Sequence, residues 1–486
     1  MTDTGTHVIP CPLGEASRKW PDNPALITGG NVLTWSQYDE QVTRATGSLK
    51  ENGVGENSRV GLLLENSADY AILLMALFRL RAVAVPLSTR TPSTALPGPL
   101  QLARCSHLTT NRISEIGSPE GGIKLLTTGE LLSGESEDTR TPVELDLNQP
   151  ATIIATSGST SQPKLVMHAY KNHYFNALGS NRNITFGPGG RWLLSLPLSH
   201  VGGIGILFRS LLSGGAVVFP DPDKSLSENI MDRAVTHISL VSTQLRRLLR
   251  EEDNLPALAH TLKAVLMGGS AMPDSLLTAA LEAGLPIHKS YGLTEMASQV
   301  TTTRPDDLPA RITTSGKPLD YREVKISSDG EILVRGETRF MGYVDGDSLT
   351  TPFGADGWFA TGDCGFIDHN GYIVTGRKDN MFVSGGENIH PEEIESTLSN
   401  IPGVEEVVVV AVEHPDYGHR PVAFVHRTDG TPPDSDELTD HLAKVLPRFK
   451  IPDRFFGWPE NIEKTGIKLN REQFAQLAVR LTGGKS

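Results

Sequence analysis

Residues 153–169, IIATSGSTSQPKLVMHA, set Thr156, Ser157, Gly158, Ser159, Thr160 and Ser161 between two apolar runs, with Lys164 at the far edge. Such a run cannot pack a core. Its hydroxyls and flexible backbone amides can donate to oxyanions and its lysine supplies a point charge, which together suit a phosphate chain. The run is not a GxxxxGK[ST] phosphate loop, because Leu165 follows Lys164. By itself it reads equally well as a phosphate cradle or as a plain solvent loop.

The elements around it limit the choice. ATIIAT has strand character and leads in, and HAYKNHYFNALGSN has helical spacing and leads out. The same alternation runs through the first half of the chain. Helical TWSQYDEQVTRATGSLKENG and ADYAILLMALFRLRA flank the buried-strand run RVGLLLEN. AVAVPLS, RWLLSLPLS, GGAVVFPD, THISLVS, LKAVLMGG and PIHKSYG then recur as short apolar strands. This rhythm predicts an α/β protein with largely parallel sheets. After about residue 312, REVKISSDGEILVRG and GFIDHNGYIVTGR read as two β-hairpins, a β-rich subdomain over about 312–378. The last hundred or so residues, from NIHPEEIE onward, read as a small α+β domain. Residues 97–150, rich in Pro, Gly, Ser and Thr, are expected to be the least regular part.

A chain of 486 residues is too long for one core, so at least two domains are expected. The net charge of −13 argues against a general binder of nucleic acid or anionic membrane, which would reward a basic surface. Cys11, Cys105 and Cys364 are scattered and show neither metal spacing nor a disulfide framework, which fits a reducing cytoplasm. The N-terminal stretch lacks the pattern of a signal peptide. Arg79 and Arg81 interrupt the most apolar segment well short of a membrane span.

The hydroxyl-rich run has company. LSLPLSHVGGIGI (194–206), MGGSAMP (267–273), SYGLTEMAS (290–298), DGWFATGD (356–363), GRKDNMFVSGGENIHPEEIE (376–395) and KTGIKLNR (464–471) follow in that order. Together these blocks, over about residues 15–480, resemble the adenylate-forming superfamily of acyl-CoA synthetases, adenylation domains and luciferases. Within it, WLLSLPLSHVGG, YGLTEMASQV, FVSGGENIHPEEIE and GIKLNR are most similar to the o-succinylbenzoate–CoA ligases of menaquinone synthesis.

The resemblance implies a large adenylation domain over 1–378 and a small mobile domain over 379–486, hinged at Asp379. It implies ATP, Mg²⁺ and CoA as reactants or cofactors, a small carboxylic acid as substrate, and no nucleic-acid or membrane partner. A homo-oligomer is compatible with it. Lys468 matches the lysine that bridges carboxylate and α-phosphate. Thr156, Ser157, Gly158, Ser159, Thr160 and Lys164 match the loop on the β- and γ-phosphates. Gly269, Ser270, Ala271, Tyr291, Gly292 and Thr294 fall in the blocks around the adenine and phosphates, and Glu295 matches the Mg²⁺ carboxylate. Asp363 matches the acceptor of the two ribose hydroxyls, and Arg377 a further ribose or phosphate contact.

His200 matches the group that gates the acyl site, where Gly202, Gly203 and Gly205 make room. Ser298 and the amides near Gly202 and Gly203 are the nominees for holding a second substrate carboxylate. Gly385 and Gly386 match the wall of the pantetheine tunnel. Each role has a plainer counterpart: Tyr291 as core, the glycines as helix packing, Asn388 and His390 as caps of the following helix. Ser161 and Leu165 stand where many relatives have glycine, yet the hydroxyls and Lys164 remain. The alternatives to an o-succinylbenzoate ligase are another aryl- or acyl-CoA ligase, or an adenylating enzyme that loads a carrier protein.

Overall fold

Runs such as Arg59–Leu63 and Val83–Pro86 are apolar and buried along almost their whole length. That is the mark of parallel strands covered on both faces by helices. The computed structural model describes residues 7–116, 120–134, 143–156, 164–269, 272–307, 313–459 and 471–483.

Two large sheets form the first part of the chain. An eight-stranded sheet runs parallel from its Lys124–Leu126 edge through His107–Thr110, Arg59–Leu63 and Val83–Pro86 to β1 (Pro150–Thr156). It then turns antiparallel through β2 (Lys164–Ala169), Gly342–Asp345 and Ser348–Thr350. A nine-stranded sheet has a parallel centre that ends in β3 (Ile287–Leu293), followed by antiparallel β4 (Ser298–Thr302). Three helices matter for the site: α1 (Ala68–Arg79), α2 (Tyr170–Asn183) and α3 (Val201–Ser213). Their buried residues share one apolar cluster with Val60, Leu62 and Ile154 of the first sheet and Trp192, Val217 and Leu266 near the second.

The two hairpins foreseen after residue 312 form a separate four-stranded sheet: Arg322–Ile326, Glu331–Gly336, β5 (Phe359–Ile367) and β6 (Tyr372–Arg377). The β-rich unit is less self-contained than the sequence suggests. Lys317–Pro318 extends the second sheet, and Gly342–Asp345 with Ser348–Thr350 extends the first. The stretch expected to be irregular, 97–150, also contributes His107–Thr110 and Lys124–Leu126 to the first sheet. HLTT and KLL are too short and too polar to announce themselves; a preformed neighbouring strand recruits them.

The C-terminal part is α+β. The long pair Val404–His414 and Gly418–Arg427 forms the centre of a five-stranded sheet, with helices Pro391–Ser399, Ser435–Ala443 and Arg471–Thr482. Polar contacts join it to the large part. Asn400 Oδ1 accepts from the Ser275 amide at 3.0 Å, and Arg250 pairs with Glu405 at 3.1 Å.

Candidate active site

The block SYGLTEMAS folds as a tight reversal. β3 runs into a single 3₁₀ turn, Thr294–Met296, and the chain returns as β4, with Gly292 opposite Gln299 and Leu293 opposite Ser298. Ala297 and Ser298 both sit at positive φ, +53° and +114°, which side-chain-bearing residues adopt at a cost of about 1–3 kcal/mol each. Gly292 is needed for close approach: a Cβ there would lie 2.2 Å from the Ser298 carbonyl oxygen.

Tyr291 is nearly buried, and its hydroxyl donates to Asp363 Oδ2 at 2.6 Å. Burial first, and then the neighbouring Asp363 carboxylate, raise its pKa far above the ordinary phenol value, so the hydroxyl stays a donor. Arg377 Nη1 donates to Asp363 Oδ1 at 3.1 Å, and its Nη2 to Asp379 Oδ2 at 2.8 Å. β5 and β6 pair Asp363 with Arg377, so a hairpin delivers carboxylate and guanidinium together. Parallel pairing of Ala264–Met267 with β3 brings the strand that leads into Gly269 alongside Tyr291.

A second cluster surrounds Tyr343, a residue that sequence reasoning missed. Tyr343 donates to Glu295 Oε1 at 2.9 Å, and Lys164 Nζ lies 5.2 Å from the centre of its ring. Antiparallel pairing of Val166 with Tyr343 puts it there, a register that no local motif encodes. Glu295 suits a hard cation, since its second oxygen has no hydrogen-bond partner among the described residues. Those residues contain no cluster of three or more His, Cys, Asp or Glu that could hold a metal. A magnesium ion here would take one protein carboxylate and complete its shell from phosphate and water. Thr156 faces Lys164 across the β1–β2 pair, and its hydroxyl donates to the Lys164 carbonyl at 3.3 Å. Ser157, Gly158, Ser159, Thr160, Ser270, Ala271 and Lys468 lie outside the described residues.

The third cluster lies along α3. His200 stands at its N-cap position and makes no capping bond with its side chain. Gly203 has a packing reason, because a Cβ there would lie 2.3 Å from the Pro197 carbonyl oxygen. Gly202 packs against Leu196. Arg209, 1% exposed, leans back over Gly205; its Nε donates to Ser180 Oγ at 2.8 Å and its Nη2 to Gln299 Oε1 at 2.6 Å. Its Nη1 is buried without a hydrogen-bond partner among the described residues.

Arg322 is also buried. It donates to the carbonyls of Asp320, Gln299 and Asn176. Neither guanidinium forms an ion pair with a carboxylate among the described residues, and burial lowers both pKa values to about 9. Both guanidiniums meet at Gln299, the residue after Ser298: Arg209 bonds its side chain and Arg322 its carbonyl. The signal for Arg209 was visible in the sequence, as one charge inside the apolar helix VGGIGILFRSLLS. Arg322, on a strand of ordinary polarity, gave none.

Asp379 sits at the exit of β6, in the one-turn helix Lys378–Asn380, where Lys378 binds Asp329 and Glu331 at 2.8 and 2.9 Å. Gly385 and Gly386 form the exposed turn between Phe382–Ser384 and Glu387–Ile389. His390 occupies the N-cap of the next helix without a side-chain capping bond, and Asn388 lies on the preceding strand, so neither side chain caps that helix.

Paired α/β sheets with a phenol, carboxylate and guanidinium cluster at their edge, next to a small α+β part, define an AMP-binding class of enzyme. The chain belongs to the AMP-binding enzyme family: residues 13–344 match that family, and residues 393–468 match its C-terminal domain. It is 32% identical to the 2-succinylbenzoate–CoA ligase of Bacillus subtilis (strain 168) over 475 residues, 95% of this chain and 96% of the relative. It is 33% identical to the ligase of the same name from Geobacillus kaustophilus (strain HTA426), over 94% of this chain and 95% of the relative. The structure superposes on the Bacillus subtilis o-succinylbenzoate CoA synthetase in complex with the acyl-adenylate OSB-AMP with a TM-score of 0.87 at 30% identity, covering 96% of this chain and 98% of that one. The same synthetase in complex with ATP and magnesium ion also gives a TM-score of 0.87, at 31% identity over 96% of this chain and 99% of the other.

Proposed function

We propose that the protein is an AMP-forming acid–thiol ligase that uses ATP, Mg²⁺ and CoA to convert o-succinylbenzoate into its CoA thioester, a cytoplasmic step of menaquinone synthesis. The observation that carries this reading is the buried pair Arg209 and Arg322, both bonded to Gln299 next to Ser298 in the chain and neither paired with a carboxylate among the described residues. An acid that is activated at one carboxyl and keeps a second needs a cation in its pocket, and a monoacid does not. Full-length likeness to 2-succinylbenzoate–CoA ligases supports the same choice.

In the first step a carboxylate oxygen of the acid attacks the α-phosphorus of ATP, and the bond to pyrophosphate breaks. Asp363 accepts from the ribose hydroxyls, while Tyr291 and Arg377 fix its two oxygens. Glu295, oriented by Tyr343, is the carboxylate that would hold Mg²⁺; when bound, the ion neutralises phosphate charge that would otherwise repel the incoming carboxylate. Lys164 and the hydroxyl run hold the outer phosphates, and Lys468 bridges the reacting pair. In the second step the CoA sulfur attacks the acyl carbon, the bond from that carbon to the phosphate oxygen breaks, AMP leaves with the oxygen and its electron pair, and the thiol proton passes to solvent. His200 borders the acyl carbon, and Gly385 and Gly386 line the path of the thiol after rotation at Asp379.

AMP release with ATP and Mg²⁺, measured with and without CoA over o-succinylbenzoate, benzoate, halobenzoates and medium-chain fatty acids, tests the proposal. CoA-dependent turnover with o-succinylbenzoate and not with monoacids is the expected result. Preference for a monoacid would discard the assigned pocket and leave an aryl- or acyl-CoA ligase. Acid-dependent AMP formation that ignores free CoA would point to a carrier-protein acceptor.

A further inference from the structure

Helix α2 turns a polar face into the protein interior. Asn172, His173, Asn176 and Ser180 are each 1% exposed or less, as is His168 on the strand leading into the helix. Buried polar atoms are costly unless they are bonded, so their partners reveal what the face is for. His168 Nε2 lies 2.7 Å from the Thr294 carbonyl. A carbonyl only accepts, so this nitrogen carries the proton, and Nδ1, 3.2 Å away, accepts from the Thr152 hydroxyl. The Thr152 oxygen in turn accepts from His173 Nε2 at 2.9 Å, with the two rings 5.0 Å apart. One helical turn on, Asn176 Nδ2 donates to both the Met296 and Gln299 carbonyls at 3.1 Å. Asn172 donates to the Glu337 and Arg339 carbonyls at 2.7 and 2.8 Å, and the next amide, Phe340, donates to the Glu295 carbonyl at 2.8 Å.

These bonds converge on one short segment. The carbonyls of Thr294, Glu295, Met296 and Gln299 are all taken up from outside the turn, and between them lie Ala297 and Ser298 at positive φ. A strained backbone persists only where its surroundings over-determine it. A helix and the strand end before it, had they merely filled space, would not send amides and an imidazole to the carbonyls of a non-regular segment.

We propose that the buried polar face of α2, together with His168 on the strand before it, is the template that holds residues 294–299 in their strained form, with His168 the positioning residue for Glu295 and Asn176 the positioning residue for Ser298. The proposal rests on the function given above and extends it, because it divides the nucleotide half of the site from the acid half. His168 governs the carboxylate that faces Mg²⁺ and phosphate. Asn176 governs the wall that faces the retained carboxylate of the substrate.

The test pairs His168→Leu with His168→Gln, whose amide can reach the same carbonyl, and adds Asn176→Leu. Two quantities are read for each: affinity for Mg²⁺·ATP by titration calorimetry without acid or turnover, and KM for the acid at saturating Mg²⁺·ATP. His168→Leu is expected to weaken Mg²⁺·ATP binding about tenfold while leaving acid KM within about twofold, and His168→Gln to restore most of the loss. Asn176→Leu is expected to raise acid KM about tenfold and leave Mg²⁺·ATP binding within about twofold. Parallel losses in both quantities for both leucine variants would reduce the face to general scaffolding and overturn the proposal, as would no loss in either. If His168→Leu fails to fold, His168→Met takes its place on the same two readouts: weakened Mg²⁺·ATP binding that His168→Gln restores supports the template, and unchanged binding overturns it. Wild type that binds Mg²⁺·ATP but turns over no o-succinylbenzoate would sink the substrate assignment alone, since the calorimetric limb still decides the template.

Discussion

Helices α1 and α2 occupy the same apolar cluster and are buried to a similar depth, yet they are built oppositely. From Tyr70 to Phe78, α1 is buried at nine consecutive positions, all of them apolar except for the phenol of Tyr70. α2 buries Asn172, His173, Asn176 and Ser180. An apolar helix in a core contributes area and shape, and volume-conserving exchanges there are tolerated. A polar one specifies directions, because each donor must meet an acceptor. The difference teaches that in this molecule the core polar atoms, rather than the core itself, point to the site. α3 stands between the two types, an apolar helix with one buried cation.

The largest expected effect tests that intermediate case. Arg209→Leu should raise KM for the acid about a hundredfold, about 3 kcal/mol of lost charge pairing. Thermal stability should hold or rise, because the substitution removes a buried cation that has no carboxylate partner among the described residues. A lower melting temperature with unchanged KM would move Arg209 to the structural side of the comparison. The converse experiment is on α1: Leu74→Ala should cost about 2–5 kcal/mol in denaturant unfolding and leave acid KM and Mg²⁺·ATP affinity where they were.

A third expectation follows from the imidazoles of the polar face. Burial lowers the His168 pKa from 6.5 to about 4 and holds His173 well below the usual value. The unfolded chain therefore binds protons that the folded one refuses, and stability present above pH 6.5 is lost as pH falls toward 4. His168 alone should contribute about 3 kcal/mol to that loss, read as the pH dependence of unfolding, and His168→Gln should flatten it. An unchanged slope in the variant would show that His168 is already protonated in the fold. The smallest effect belongs to the exposed end of the same helix, where Arg182 pairs with Asp320 at 2.7 Å in open solvent. Breaking that pair should change stability by less than about 1 kcal/mol and leave both binding constants alone.

Much of this was legible in the order of residues. The alternation of short apolar runs with helical stretches specified an α/β protein, and the paired turns after residue 312 specified hairpins, because side-chain period and turn chemistry are local properties. Asp363 and Arg377 could be nominated, and a hairpin register then joined them. Tyr343 could not, since its place beside Glu295 and Lys164 follows from a strand pairing across almost 180 residues of chain. Arg322 could not either: nothing on an alternating strand announces that its guanidinium will be buried against three carbonyls.

What the sequence determined by itself was therefore the inventory: which elements form, which chemical groups are available, and which family of reactions they serve. What only the tertiary structure decided was who stands next to whom. His168, Asn172 and Asn176 are ordinary polar residues in a linear reading, and their partners at 294–299 and 337–339 are backbone carbonyls that every sequence possesses. Donor and acceptor meet only after two sheets and a helix have packed. Their burial then turns weak, exchangeable hydrogen bonds into ones too costly to break.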